Sequence, residues 1–245
     1  MKKYTSYKDT GIDYIGEIPS EWSIIKIKHL FKEINEKSVD GSEELLSVSQ
    51  YTGVTPKREK IDEEVDNLTN AATLEGYKLV QVNDLVINIM LAWNGCLGVS
   101  NYAGISSPAY CVYRLKTDHN PKYFDYLLKT EIYKAEFKRN STGIIDSRLR
   151  LYTDKLFNIY SILPPKLIQD RIVEFLEKKI KLFDALMFSN SLIFGKSSRK
   201  AGLLQEYRNT LIYEAVTGKI FTESELVAVE EATDFLKEYS LNKME

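Results

Sequence analysis

Along the first 165 residues, apolar positions come in short runs separated by turn formers, which is the pattern of short strands. Ile24-Ile25-Lys26-Ile27 predicts one strand, leading into an amphipathic turn with Leu30, Phe31 and Ile34. Leu45–Val48 predicts a second. Tyr77–Val82 and Leu85–Met90 read as paired strands around Asn83-Asp84, a dipeptide that tolerates the backbone of tight turns. Leu97–Val99 and Tyr110–Leu115 are further strands, and Leu156–Leu163 is a last one, ended by Pro164-Pro165. Two stretches lack the rhythm: 11–21, turn-rich with Gly11, Gly16 and Pro19, and 52–70, polar and loop-like. Pro121–Lys138 predicts one helix, with Pro121 in its first turn and Phe124, Leu127, Leu128, Ile132 and Phe137 on its apolar face. Ser141–Ser147 is a loop around Gly143. Short strands mixed with a helix predict an α+β domain.

After Pro165 the period changes. Apolar residues recur at Ile168, Ile172, Leu176, Ile180, Phe183 and Met187, and again at Leu204, Tyr207, Leu211 and Ala215. This is a narrow helical seam of the kind that packs on another helix. An unbroken helix of about 50 residues is roughly 75 Å long, more than one globular domain buries. Gly195 and Gly202, with Ser189, Ser191, Ser197 and Ser198, weaken its middle. The alternative is two helices of about 28 and 18 residues, broken near 195–202. Thr217-Gly218 supplies a C-terminal stop, and Glu223–Tyr239 suits a short acidic helix.

Composition narrows the class. The 245 residues are 44% hydrophobic and 28% charged, which is globular rather than disordered. Cys96 and Cys111 build no disulfide scaffold, and with His29 and His119 they lack paired zinc spacing. No apolar run of about 18 residues spans a membrane, and no signal peptide follows Met1-Lys2-Lys3-Tyr4, so the expectation is a soluble cytoplasmic protein. A net charge of −2 argues against coating nucleic acid by bulk charge. The charge is nevertheless unevenly laid out. Residues 166–218 carry nine bases and six acids, and 219–245 three and seven. Lys129–Arg150 holds six bases (Lys129, Lys134, Lys138, Arg139, Arg148, Arg150) against three acids, a window able to face phosphates or to serve as a solvated helix face.

Catalytic patterns fail one by one. Gly195-Lys196-Ser197 copies the end of a phosphate-binding loop, but position 190 is Asn where the loop needs glycine. Ser107-Pro108-Ala109-Tyr110 lacks the second proline of the amino-methyltransferase motif. Glu177-Lys178-Lys179 has no Pro-Asp partner and lies on the helix. His29 and His119 have no nucleophile or acid at motif spacing. Trp93-Asn94-Gly95 suits either an exposed reading loop or a core Trp beside a turn. The residues alone leave two classes open, a nucleic-acid reader with a helical assembly arm and a protein-interaction scaffold.

Five segments, in order, resemble the specificity subunits of Type I restriction–modification systems. They are Tyr7–Trp22 (YKDTGIDYIGEIPSEW); Ala92–Ser100 with Gly104–Tyr110; Gly143–Leu151; Leu163-Pro164-Pro165 with Gln169–Leu176; and Glu206-Tyr207-Arg208 with Leu211-Ile212 and Glu214–Ile220. The resemblance implies a protein that performs no chemistry itself. Residues 1–19 are then an N-terminal lead-in, 20–164 a mixed α/β target-recognition domain, 165–218 a long coiled-coil-forming helical arm and 219–245 an acidic tail. Its partners are double-stranded DNA, a modification (methyltransferase) subunit and a restriction (nuclease/translocase) subunit. The chain needs no cofactor of its own; S-adenosylmethionine, ATP and Mg belong to the partner subunits. Family members usually carry two recognition domains and two helical regions, and this chain has one of each. The hypothesis is therefore a half-length subunit that pairs with a second copy and reads a split, palindromic target.

Base reading needs Arg or Lys for guanine and Asn or Gln for adenine. The candidates in predicted loops are Gln50, Tyr51, Lys57, Arg58, Trp93, Asn94, Lys138, Arg139, Ser147 and Arg148. The candidates for assembly are Ile172, Leu176, Ile180, Phe183, Leu204 and Leu211. The competing readings are a coiled-coil scaffold without DNA binding and the specificity subunit of a related two-part methylase–nuclease.

Overall fold

The computed structural model describes residues 4–57, 73–145, 148–194 and 199–220. Strands β1 (Tyr7–Asp9), β2 (Glu17–Pro19) and β3 (Ser23–Lys26) precede a single helical turn, α1 (Ile27–Leu30), and β4 (Phe31–Ile34). Then come β5 (Leu46–Ser49), β6 (Gly53–Pro56), β7 (Lys78–Val80), β8 (Leu85–Asn88), a 3-10 turn at Ala92–Asn94, β9 (Leu97–Val99), β10 (Gly104–Ser106) and β11 (Tyr110–Leu115). Helices α2 (Pro121–Leu128), α3 (Glu131–Asn140) and α4 (Thr153–Leu156) lead to β12 (Tyr160–Leu163), α5 (Lys166–Phe194) and α6 (Arg199–Val216). The chain divides into two compact units, Ile24–Ser161 and Met1–Ser23 with Ile162–Glu245. The first holds most of the strands and is called the sheet unit; the second is the helical unit.

The sheet unit is built on an antiparallel sheet of order β4-β11-β8-β9. Strand β8 is buried at all four positions, so both of its faces are covered, and Val112 of β11 sits opposite both Ile34 and Val86. Two smaller pairs, the β5-β6 hairpin and β10-β7, share its core. Ile34, Leu46, Val48, Val54, Val80, Val86, Cys96 and Val112 form one buried cluster drawn from all three sheets. Helix α2 buries Tyr123, Phe124, Leu127 and Leu128, and Phe124 meets Phe31 edge to face at 5.4 Å.

Several expectations need correction. The Asn83-Asp84 turn exists, with Asn83 at φ 74°, but its flanking strands do not pair with each other. Strand β7 pairs with β10, and β8 enters the central sheet, because the Asn83 and Ser100 backbones tie the turn to the end of β9 instead (Asn83 N–H to Ser100 carbonyl, 2.8 Å). The polar stretch after Thr52 begins with a strand, β6. The helix expected over 121–138 is two helices. Asn120 caps α2 through Lys122 N–H at 3.0 Å, and the buried Thr130 stops it, its hydroxyl donating to the Leu127 carbonyl at 2.7 Å. The run 156–163 is split between the end of α4 and β12.

In the helical unit the two-helix alternative holds. Helices α5 and α6 have 29 and 18 residues and pack on each other, with the Phe183 and Tyr207 rings 5.4 Å apart. A break lets the halves of one apolar stripe cover each other, which a single straight helix cannot do. Helix α6 ends as expected: Gly218 takes a left-handed conformation (φ 73°), and Lys219 N–H returns to the Glu214 carbonyl at 2.8 Å. The β1-β2 hairpin closes on this end. Tyr7 Oη donates to the Gly218 carbonyl at 3.0 Å and Lys219 Nζ to the Glu17 carbonyl at 2.7 Å. A Cβ on Gly218 would lie 2.5 Å from Pro19 Cδ, so only glycine fits there. The expected acidic helix over 223–239 lies outside the described residues.

Candidate nucleic-acid interface

The turn after β8 gathers several candidates. Asn88 N–H donates to the Cys96 carbonyl at 3.0 Å and Cys96 N–H to the Leu91 carbonyl at 3.1 Å, closing a tight loop around the 3-10 turn. Trp93 lies on that turn, half-buried, its Nε1 donating to the Met90 carbonyl at 3.1 Å; Asn94 beside it is exposed. The Trp is therefore neither a core residue nor a free one. Its ring is fixed at the edge of the loop and carries Lys138 Nζ at 5.2 Å from its centroid.

The β5-β6 hairpin reaches the same place. The Cys96 Sγ donates to the Val48 carbonyl at 3.0 Å, and the Gln50 backbone and the Asn88 side chain bond to the same sulfur. Burial pushes the Cys96 thiol up, and those bonds offset part of the effect. Gln50 thus lies beside the loop, and Tyr51 at the hairpin tip is 86% exposed. The segment after α3 arrives third. Thr142 and Arg150 exchange backbone bonds at 2.9 Å each way, and Leu151 N–H donates to the Ile89 carbonyl at 2.9 Å. This holds the exposed Arg148 at the same end of the sheet.

Gln50, Tyr51, Trp93, Asn94, Lys138 and Arg148 therefore converge from separate stretches of chain. Arg139 is next to them but pairs with the buried Glu136, which Asn140 Nδ2 also holds at 2.7 Å, so its charge is partly spent within α3. Lys57 is not part of the group. Its N–H donates to the Leu45 carbonyl at the open end of the hairpin, about 13 Å of strand away from the tip. Arg58 and Ser147 lie outside the described residues. Lys134, named above only within the basic window and not among the base-reading candidates, packs its stem against Gly95 (a Cβ there would meet its Cε at 2.8 Å) and pairs its Nζ with Glu131 at 2.8 Å. Its signal was the four-residue spacing to Lys138 on one helical face.

Four of the six assembly candidates are turned inward within the single chain. Ile172, Leu176, Phe183 and Leu211 are buried within the single chain, and Ile180 and Leu204 are half-buried. A side chain without exposed surface cannot form an intermolecular face. Among the described residues, the large apolar side chains that α5 and α6 expose are Leu167, Leu186, Leu203 and Tyr207. Among the described residues no cluster of His, Cys, Asp and Glu could hold a metal ion, and no helix is long and apolar enough to cross a membrane.

No family model and no curated protein matches the chain. Solved structures do. One is the crystal structure of an HsdS subunit from Thermoanaerobacter tengcongensis, with 15% identity over 87% of this chain and 48% of that one and a TM-score of 0.47. Another comes from the structural basis of complex assembly and conformational transition of the type I R-M system, with 16% identity over 87% of this chain and 49% of that one and a TM-score of 0.45. The chain spans about half the length of these solved chains.

Proposed function

We propose that this chain is the DNA sequence-recognition (specificity) subunit of a Type I restriction–modification system. The observation that carries the reading is the convergence of Gln50, Tyr51, Trp93, Asn94, Lys138 and Arg148 on one end of the sheet unit, alongside five ordered segments that resemble such subunits. The residue types are those that meet base edges, stack on bases and neutralise phosphates. The chain supplies no catalysis. It reads one half of a bipartite target and directs a modification subunit, which holds S-adenosylmethionine, and a restriction subunit, which uses ATP and Mg.

A second copy completes the target. Among the described residues, Leu186, Leu203 and Tyr207 are exposed apolar side chains on the helices that suit that pairing. Selection from a random duplex library by the full chain, alone and with its methyltransferase partner, tests the reading. Two inverted half-sites with a fixed spacer are expected. A monomer under both conditions, or a motif without inverted halves, overturns the dimeric form. No enriched motif at all overturns the specificity role. The exposed helical apolar residues also favour a scaffold reading, which that last result would select.

A further inference from the structure

The loop after α3 has a feature that its basic residues do not explain. Ile144 is fully exposed (100%) and Ile145 is 53% exposed. Two adjacent β-branched aliphatic side chains are thus held in water at a loop tip. The tip is held by its backbone as well. Thr142 and Arg150 bridge its ends, and Arg148 N–H donates to the Ile145 carbonyl at 2.8 Å. Gly143 has φ 151°, and a Cβ there would lie 2.6 Å from the Arg148 carbonyl oxygen. The tip starts directly after α3, one turn beyond Lys138, with Ser141 N–H on the Lys138 carbonyl at 3.2 Å. From Lys138 to Arg150 the chain carries four bases and one acid, although the whole chain is acidic.

An apolar tip between cations matches a ligand that is apolar at one spot and anionic around it. Duplex DNA has that character in its major groove, where the thymine C5-methyl is the apolar feature among hydrogen-bonding edges and phosphates lie on both sides. We infer that Ile144, supported by Ile145, is a specificity-determining contact to a thymine methyl group. Arg148 and Lys138 hold the flanking backbone or base edges. The inference rests on the proposed DNA-reading role and adds a base preference to it.

The test uses the full chain with its methyltransferase partner, and duplexes carrying the sequence selected by the wild type. Each thymine is replaced in turn by uracil, which removes only the methyl group. At one or two positions the replacement should weaken wild-type binding about fourfold, the value of one buried methyl. Ile144→Ala should bind the thymine and uracil duplexes equally at those positions, and Ile144→Val should keep part of the difference. The side chain is exposed, so these variants should unfold at the wild-type temperature. Identical uracil profiles for wild type and Ile144→Ala overturn the inference and leave the DNA-reading role standing. So does loss of partner binding, with an unchanged profile, in an Ile144→Ala/Ile145→Ala double variant, which would mark a protein contact. Failure of the wild type to select any sequence overturns both.

Discussion

Asp84 is 1% exposed and accepts three bonds: Arg114 Nε at 2.7 Å, Arg114 Nη2 at 2.8 Å and Gln81 N–H at 2.8 Å. One carboxylate thereby fixes the turn before β8 and the outer part of β11. Asp84→Ala should cost about 2–3 kcal/mol in urea unfolding, below the full buried-pair value because Arg114 keeps a quarter of its side chain in water. Asp84→Asn should cost less, since an amide oxygen still receives Gln81 N–H. Protons report other buried and half-buried groups. The phenols of Tyr4, Tyr110 and Tyr113 and the Cys96 thiol are all held above their ordinary values, burial being the largest cause in each. The folded chain keeps protons that the unfolded chain releases from about pH 9 to 10 upward. The stability these groups contribute is complete below that range and drains as pH climbs through their raised folded values. The urea midpoint should be level from neutrality to about pH 8 and fall from about pH 9 onward. A midpoint still level at pH 11 would refute the assignment.

The helices make separable demands on single positions. Leu176 has no exposed surface, so Leu176→Ala should lower stability by about 2–5 kcal/mol in denaturant titration. Leu203 is 56% exposed, and Leu203→Asp should stay within about 0.5 kcal/mol while weakening self-association in sedimentation, if that face is used. In the sheet unit, a Cβ on Gly104 would lie 2.2 Å from the Glu44 carbonyl oxygen. Gly104→Ala should push β10 from its neighbour and cost about 1–3 kcal/mol, read from the unfolding midpoint. These elements also show what a sequence reader can see. Strand β11 was legible over all six residues because five of the six in Tyr110–Leu115, all but Arg114, are apolar or aromatic. The two-helix alternative was legible through Gly and Ser placement. Strand β10 was not, because Gly104-Ile105-Ser106 has one apolar residue and owes its strand to pairing with β7. The break at Thr130 was hidden because a single threonine is tolerated in many helices, and burial decides its hydroxyl's partner. For the candidate site, side-chain types in loops were readable, but their convergence depends on bonds to Cys96, Met90 and Ile89, which no spacing reveals.

Charge tests the molecule as a whole. With an isoelectric point near 5.9, any DNA binding must come from local bases, and affinity should fall steeply with salt. If Lys138 meets a phosphate, Lys138→Ala should lower the slope of log affinity against log salt by about one in fluorescence anisotropy. An unchanged slope would keep Lys138 in a purely local role over Trp93. The clasp between the β1-β2 hairpin and the end of α6 has a consequence in time. Tyr7 and Gly218 are 211 residues apart in the chain. At about 5–20 residues per second, ribosomal synthesis separates them by roughly 10–40 s. The first strands made must wait, unpartnered along one side, while the whole of Ile24–Ser161 emerges and has time to fold. The helical unit is the last to close, so a ribosome-stalled chain ending before Gly218 should expose Trp22 to quenchers, and one extended past Ile220 and clear of the exit tunnel should protect it.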